Sequence, residues 1–292
     1  MKIYDFEVED EIEKVEIYLK NVEVIKNSFA DNTSRYRRLS LDIDLDFPVL
    51  RDCIESYERA LLIGVYTYAE QLVKNFYYQL LEKDSAQNIY IRNFINKKLD
   101  TQNFSPNVSY EVLENSIKNE LGTDFRFIIN KNREEILKYN DLIKDRHRYA
   151  HRGIYQSSFE QYRDVIKVEK YITAELVMIV NHGMDYRIHY QNCWKYIVDQ
   201  LTKCCGLYKE LKNNNNKELK KKFISELKDL RNKTREFLRN YNDYIDKGKL
   251  LNEIKIQLGR MNTMDLRRIS SFALIEDLED AIKTSKIIYL KN

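Results

Sequence analysis

Residues 48–83 read PVLRDCIESYERALLIGVYTYAEQLVKNFYYQLLEK, and this stretch decides the fold class. Leu50, Ile54, Tyr57, Ala60, Leu61, Tyr68, Leu72, Phe76 and Leu80 recur at spacings of three, four or seven. That period places them along one broad stripe of a long helix, which Pro48 can open. Working outward, the chain has only 7 Gly and 2 Pro, so each one is informative. Gly122, Gly153, Gly183, Gly206, Gly248 and Gly259 fall near the ends of periodic apolar runs, and Pro48 and Pro106 fall just before new ones. Helices are expected near 5–28, 48–83, 88–98, 109–120, 124–150, 157–182, 186–211, 217–246 and 264–286. No stretch alternates long enough to demand a strand, although short β segments near 38–45 and 286–290 fit the pattern. The expectation is an all-α fold. Linkers are weak: 29–47 and 99–108 are polar or turn-rich, and the four-Asn run 213–216 separates helices rather than domains. No fixed repeat period suggests a solenoid.

Composition excludes several classes. The 292 residues are 43% hydrophobic and 33% charged, enough apolar material for a sizeable core and too little Pro and Gly for a collagenous or low-complexity chain. No window approaches 18 uncharged apolar residues, and the acidic start MKIYDFEVEDEIEK lacks a secretory pattern. A cytoplasmic protein without membrane contact is expected. Cys53, Cys193, Cys204 and Cys205 form neither a disulfide framework nor a paired zinc motif, and read as reduced packing or surface thiols. The net charge of +3 hides an asymmetry: residues 1–46 hold 7 basic and 12 acidic groups, whereas 186–292 hold 23 and 14.

Side chains suited to acid–base and phosphate chemistry concentrate in one place, Asp145-Arg146-His147-Arg148-Tyr149-Ala150-His151-Arg152-Gly153, which contains two of the four histidines. Arg146 and His151 form an R-x4-H pattern at the end of a helix expected to rest on Phe125, Ile128, Ile129, Ile136, Tyr139 and Ile143. Alone the pattern is weak. The amphipathic helix before it, the Ala150-His151-Arg152-Gly153 string that closes it and the apolar helix at 159–180 supply its context.

In that setting the sequence resembles the HEPN superfamily, helical domains of prokaryotic toxins and defence ribonucleases whose motif runs Arg, polar residue, variable positions, Ala, His, Gly. Arg146, His147, Ala150 and His151 match, and Gly153 comes one position late. The acidic N-terminal helix, Tyr66-Thr67-Tyr68-Ala69-Glu70-Gln71-Leu72 and SSFEQYRDVIKVEKYI (157–172) extend the likeness over about residues 5–182. It implies a HEPN-like helical domain at 1–185 followed by a basic helical extension at 186–292. It further implies an endoribonuclease in a toxin or antiviral-defence setting, possessing no cofactor and acting as a homodimer whose two motifs line one cleft. An antitoxin or another defence-system protein would be a partner.

The chemistry suits the residues. RNA carries its own nucleophile, the 2′-hydroxyl, so cleavage needs a group to take that proton, a group to protonate the 5′-oxygen and a cation for the phosphorane. His151 brings an imidazole, a side chain suited to acid–base work, and Arg146 offers a fixed fork to two phosphate oxygens. On a regular helix the two lie about 140° apart, which is awkward for one phosphate. Either the helix frays toward Gly153, or two chains face each other. His147, four residues before His151, shares its face and can orient the site or touch a base. The resemblance implies that Glu70 holds the Arg146 fork; Asp145 and Tyr149 read as cap or packing residues. Arg148 and Arg152 are candidate RNA contacts.

Other readings remain open. Arg146 and His151 could simply complement the helix dipole. The His147/His151 pair could bind zinc, although no carboxylate or thiol at motif spacing completes a set, so no metal site is assigned. The chain could also be a non-catalytic helical module that binds nucleotide or protein. In the basic third, residues 217–239 hold nine basic groups against four acidic ones, interleaved with an apolar stripe. Lys220, Lys221, Lys228 and Arg235 are therefore candidate phosphate contacts, with a solvated lysine-rich face as the alternative. Trp194, Tyr196 and Tyr208 read as packing residues.

Overall fold

The computed structural model describes residues 2–82, 88–100, 103–127, 129, 131–214 and 216–241. Two short strands, β1 (Lys2–Ile3) and β2 (Phe6–Glu7), form an antiparallel hairpin that pairs Ile3 with Phe6. Tyr4, with φ of 51°, makes its turn. The helices are α1 (Val8–Asp31), α2 (Thr33–Asp42), α3 (Phe47–Leu80), α4 (Ile89–Lys98), α5 (Tyr110–Glu120), α6 (Glu134–Arg152), α7 (Tyr162–His182), α8 (Met184–Asn213) and α9 (Lys217–Asn240). A single 3-10 turn, Phe159–Gln161, leads into α7. The described chain is all-α apart from the hairpin, and no described helix is long and apolar enough to cross a membrane.

The long helix expected at 48–83 is α3, with Pro48 in its first turn, where the missing N–H costs nothing. Its stripe is only partly inward: Tyr57 and Ala60 are exposed, while Ile54, Leu61, Tyr68, Leu72 and Phe76 are buried. From Leu72 to Tyr78 every residue is buried, so this half of α3 is the axis of the core. Around it pack α1, α2, α6 and β1, with α5 against α6. Tyr68 on α3 shares a hydrogen bond of 2.8 Å with Thr173 on α7, and Tyr139 on α6 donates to the Val108 carbonyl at 2.7 Å, so these two buried hydroxyls are satisfied.

Two expectations about local structure need correction. Residues 29–47 are not a linker with a β segment: 33–42 is α2, whose one buried residue is Ser40. A single-turn contact of that kind leaves no apolar period in the sequence. The helix carrying the histidines does not begin at 124. Residues 124–127 are non-helical, Phe125 is buried, and the Phe127 N–H donates to Glu114 at 2.7 Å rather than up a helix.

The chain divides into two compact units, 1–180 and 181–292. In the second, α8 and α9 form an antiparallel pair across the Asn-rich turn: Tyr190 stacks near Phe237 and Tyr208 near Phe223, with the order reversed. Trp194 and Tyr208 are buried in this seam as expected, whereas Tyr196 is exposed and donates to Asp229. The helix expected at 264–286 lies outside the described residues, as do residues 242–246 and the β segment at 286–290.

Candidate functional site

Helix α6 is held at both ends by charge. Glu134 and Glu135 occupy its first turn and His151 and Arg152 its last, each sign opposite to the helix pole beside it. Ile136, Tyr139, Leu142 and Ile143 bury one face. The helix is unbroken to Arg152 and stops at Gly153, which takes φ of 68° and sends its N–H to the Tyr149 carbonyl at 2.9 Å. A left-handed stop of this kind favours glycine. Fraying is therefore not the way Arg146 and His151 meet. Within one chain they stay about 140° apart.

Asp145 fastens the loop after α6 back onto the motif. Its buried carboxylate accepts from the N–H groups of Gln156 (3.0 Å) and Ser157 (2.6 Å), from the Ser157 hydroxyl (2.5 Å) and from Arg148 (2.9 Å). Arg148 also donates to Gln156 at 3.1 Å. Asp145 is thus the packing residue the sequence suggested, and Arg148 braces the returning loop.

The other wall comes from α3. The guanidinium carbon of Arg146 sits 4.1 Å from the centre of the Tyr66 ring, within cation–π range. The His147 ring meets the same phenol edge-on at 5.7 Å. Arg146 makes no ion pair among the described residues, so its N–H groups stay open to an anion. His147 is exposed overall, yet the side of its ring against Tyr66 is shielded. That burial, then the charges of Arg146 and His151, hold its pKa below the ordinary histidine value, against the pull of Glu70. His151, one turn further on, is exposed.

Glu70 is here, but it does not hold the Arg146 fork. Its carboxylate takes the Ser105 hydroxyl at 2.8 Å and the Lys74 ammonium at 3.3 Å. Burial and then Glu70 push the Tyr66 phenol up; Arg146 and a hydrogen bond to Ser105 oppose them. Glu70 therefore reaches His147 and Tyr66 by its charge.

The fold thus sets Arg146 and His147 against Tyr66, puts Glu70, with Lys74 and Ser105 as its partners, on the next turn of α3, and leaves His151 exposed one turn beyond His147. The signal for Tyr66 and Lys74 was the i, i+4 row Tyr66–Glu70–Lys74, which puts a carboxylate and an ammonium among otherwise buried positions of α3. Ser105 left no such signal. Arg152 is exposed at the helix end. In the second unit Lys221, Lys228 and Arg235 are exposed and Lys220 is half-buried, opposite the seam of Phe223, Leu227 and Leu230. Two concavities lie elsewhere: one of about 440 Å³ between α1 and α3, lined by Glu11, Lys14, Tyr18, Gly64 and Tyr68, and one of about 490 Å³ around Arg35 and Arg38. Neither coincides with the Arg146 cluster. Among the described residues no group of three or more His, Cys, Asp and Glu is placed to hold a metal ion. No protein-family profile, curated protein or solved structure matches the chain.

Proposed function

We propose that the chain is a HEPN-type, metal-independent endoribonuclease that cuts single-stranded or looped RNA, in a toxin or antiviral-defence role. The observation that carries this reading is Arg146: a cation set against Tyr66, without a carboxylate partner among the described residues, beside one imidazole and one turn from another. An open guanidinium in that position suits two non-bridging phosphate oxygens. The 2′-oxygen attacks the neighbouring phosphorus and the bond to the 5′-oxygen breaks, leaving a 2′,3′-cyclic phosphate and a 5′-hydroxyl. His151 of one copy takes the 2′ proton, His151 of a second copy gives a proton to the 5′-oxygen, and Arg146 stabilises the phosphorane.

Because α6 is regular to Arg152, one chain does not present Arg146 and His151 to the same phosphate. Two copies related by a two-fold axis do, with each motif completing the other. His147, kept neutral by its surroundings, orients the scissile nucleotide. Incubating the full-length protein with RNA in EDTA, beside Arg146→Ala and His151→Ala, tests the reading; cleavage that survives both substitutions removes it. The competing reading, a helical module that binds nucleotide or a partner protein, draws on the concavity between α1 and α3, which lies apart from Arg146.

A further inference from the structure

Helix α4 has no place in the core. Asn88 caps it, accepting from the N–H groups of Tyr90 (2.9 Å) and Ile91 (3.3 Å), but none of its ten residues is buried. Tyr90 is 81% exposed and Phe94 64%. Amphipathic helices ordinarily exist by hiding such residues, so the exposure calls for a ligand.

Position around the helix says which kind. Taking about 100° per residue, the outer arc runs Lys97, Tyr90, Phe94, Lys98, Ile91, spanning roughly 120°. The two aromatic rings are one turn apart on one line, with an ammonium on either side of it. No acidic residue occurs from Asn88 to Leu99, and Arg92, Lys97 and Lys98 make no ion pair among the described residues. A bilayer surface or an apolar protein groove favours cations segregated from the apolar arc. A single nucleic-acid strand, which offers bases and phosphates along one path, matches rings followed by cations on the same arc.

Chain connectivity ties α4 to the Arg146 cluster. Leu99, just past its end, is buried, and Phe104 packs on Tyr77 and Tyr78 at 6.0 and 6.2 Å. The next residue, Ser105, is the one that donates to Glu70 beside Tyr66. We propose that α4 is a stacking platform for single-stranded RNA: Tyr90 and Phe94 take neighbouring bases, and Lys97 and Lys98 take the phosphates that follow them. This rests on the reading of the chain as an RNA-cleaving enzyme and adds the surface that holds the strand.

The test uses full-length protein carrying His151→Ala, a labelled single-stranded RNA 20-mer, and a parallel cleavage assay with His151 intact. Tyr90→Leu with Phe94→Leu keeps the apolar surface but removes the rings, and is expected to weaken binding about ten-fold with an unchanged salt slope. Lys97→Gln with Lys98→Gln is expected to lower that slope by about 1.4, two single-strand phosphate contacts. Duplex RNA of the same sequence should bind equally to the aromatic variant and its parent. If the parent cleaves and both variants bind the single strand as tightly as it does, the platform is overturned and the ribonuclease reading stands. Unchanged RNA affinity with lost binding to phosphatidylserine/phosphatidylcholine vesicles also overturns it, in favour of a membrane surface. A parent that neither binds nor cleaves RNA overturns both.

Discussion

Arg146 on α6 lies over the ring of Tyr66 on α3, 4.1 Å from guanidinium carbon to ring centre, although 80 positions separate them in the chain. The ring holds the guanidinium in place without consuming its N–H donors, as a carboxylate would. Removing the ring should therefore disorder the fork while leaving its charge in place. Tyr66→Leu is expected to lower RNA cleavage about ten-fold, and Tyr66→Phe, which keeps the ring, to stay within about two-fold of the parent. Single-turnover rates on one defined RNA read the difference.

Asp145 gathers four hydrogen bonds onto one buried carboxylate, two of them from the backbone after the motif. Asp145→Ala leaves the Gln156 and Ser157 N–H groups without their acceptor and should cost about 3 kcal/mol, with Asp145→Asn losing roughly half of that. Urea unfolding measures both.

His147 supplies a pH dependence with a defined sign. Its folded-state pKa is lowered, first by burial and then by Arg146 and His151, so protons bind the unfolded chain more readily. The stability it contributes is present above the ordinary histidine pKa and is lost as pH falls through the lowered folded value. His147→Gln should flatten that acid-side loss, read as unfolding midpoints from about pH 7 down to about pH 5. Imidazole NMR should show His147 titrating below its free value.

Glu169 on α7 is 1% exposed, and neither carboxylate oxygen has a hydrogen-bond partner among the described residues. Burial pushes its pKa well above the ordinary carboxylate value. A raised acid stabilises the fold only below its unfolded pKa, and the penalty grows as pH rises toward the folded value. Glu169→Met, of similar size and apolar, should raise stability by about 1–3 kcal/mol near pH 8 and by less near pH 5. Thermal melts at the two pH values check this.

How much of this was legible in the sequence depends on how local each feature is. Helix α3 was visible because its apolar residues repeat over 34 positions, and the end of α6 because Gly153 punctuates it. The start of α6 was misplaced because Phe125 and Ile129 continue the apolar count while serving the core from a non-helical segment. Helix α2 was missed because it buries one serine. At the site, the Arg146-His147-His151 grouping is local and could be read directly. Its contacts with Tyr66, and the capture of Glu70 by Lys74 and Ser105, depend on long-range packing around α3 that no spacing rule encodes.

Arg146 and His151 are proposed to cut RNA by using its own 2′-hydroxyl. The most direct measurement incubates full-length protein with a defined single-stranded RNA in EDTA and maps the ends formed by the parent, Arg146→Ala and His151→Ala, with circular dichroism confirming that all three are folded. The account predicts 2′,3′-cyclic phosphate and 5′-hydroxyl ends from the parent and a loss of about a hundred-fold or more in each variant, the scale of a lost acid–base or charge-stabilising group. Undiminished cleavage by both folded variants, or no cleavage by the parent, would contradict it.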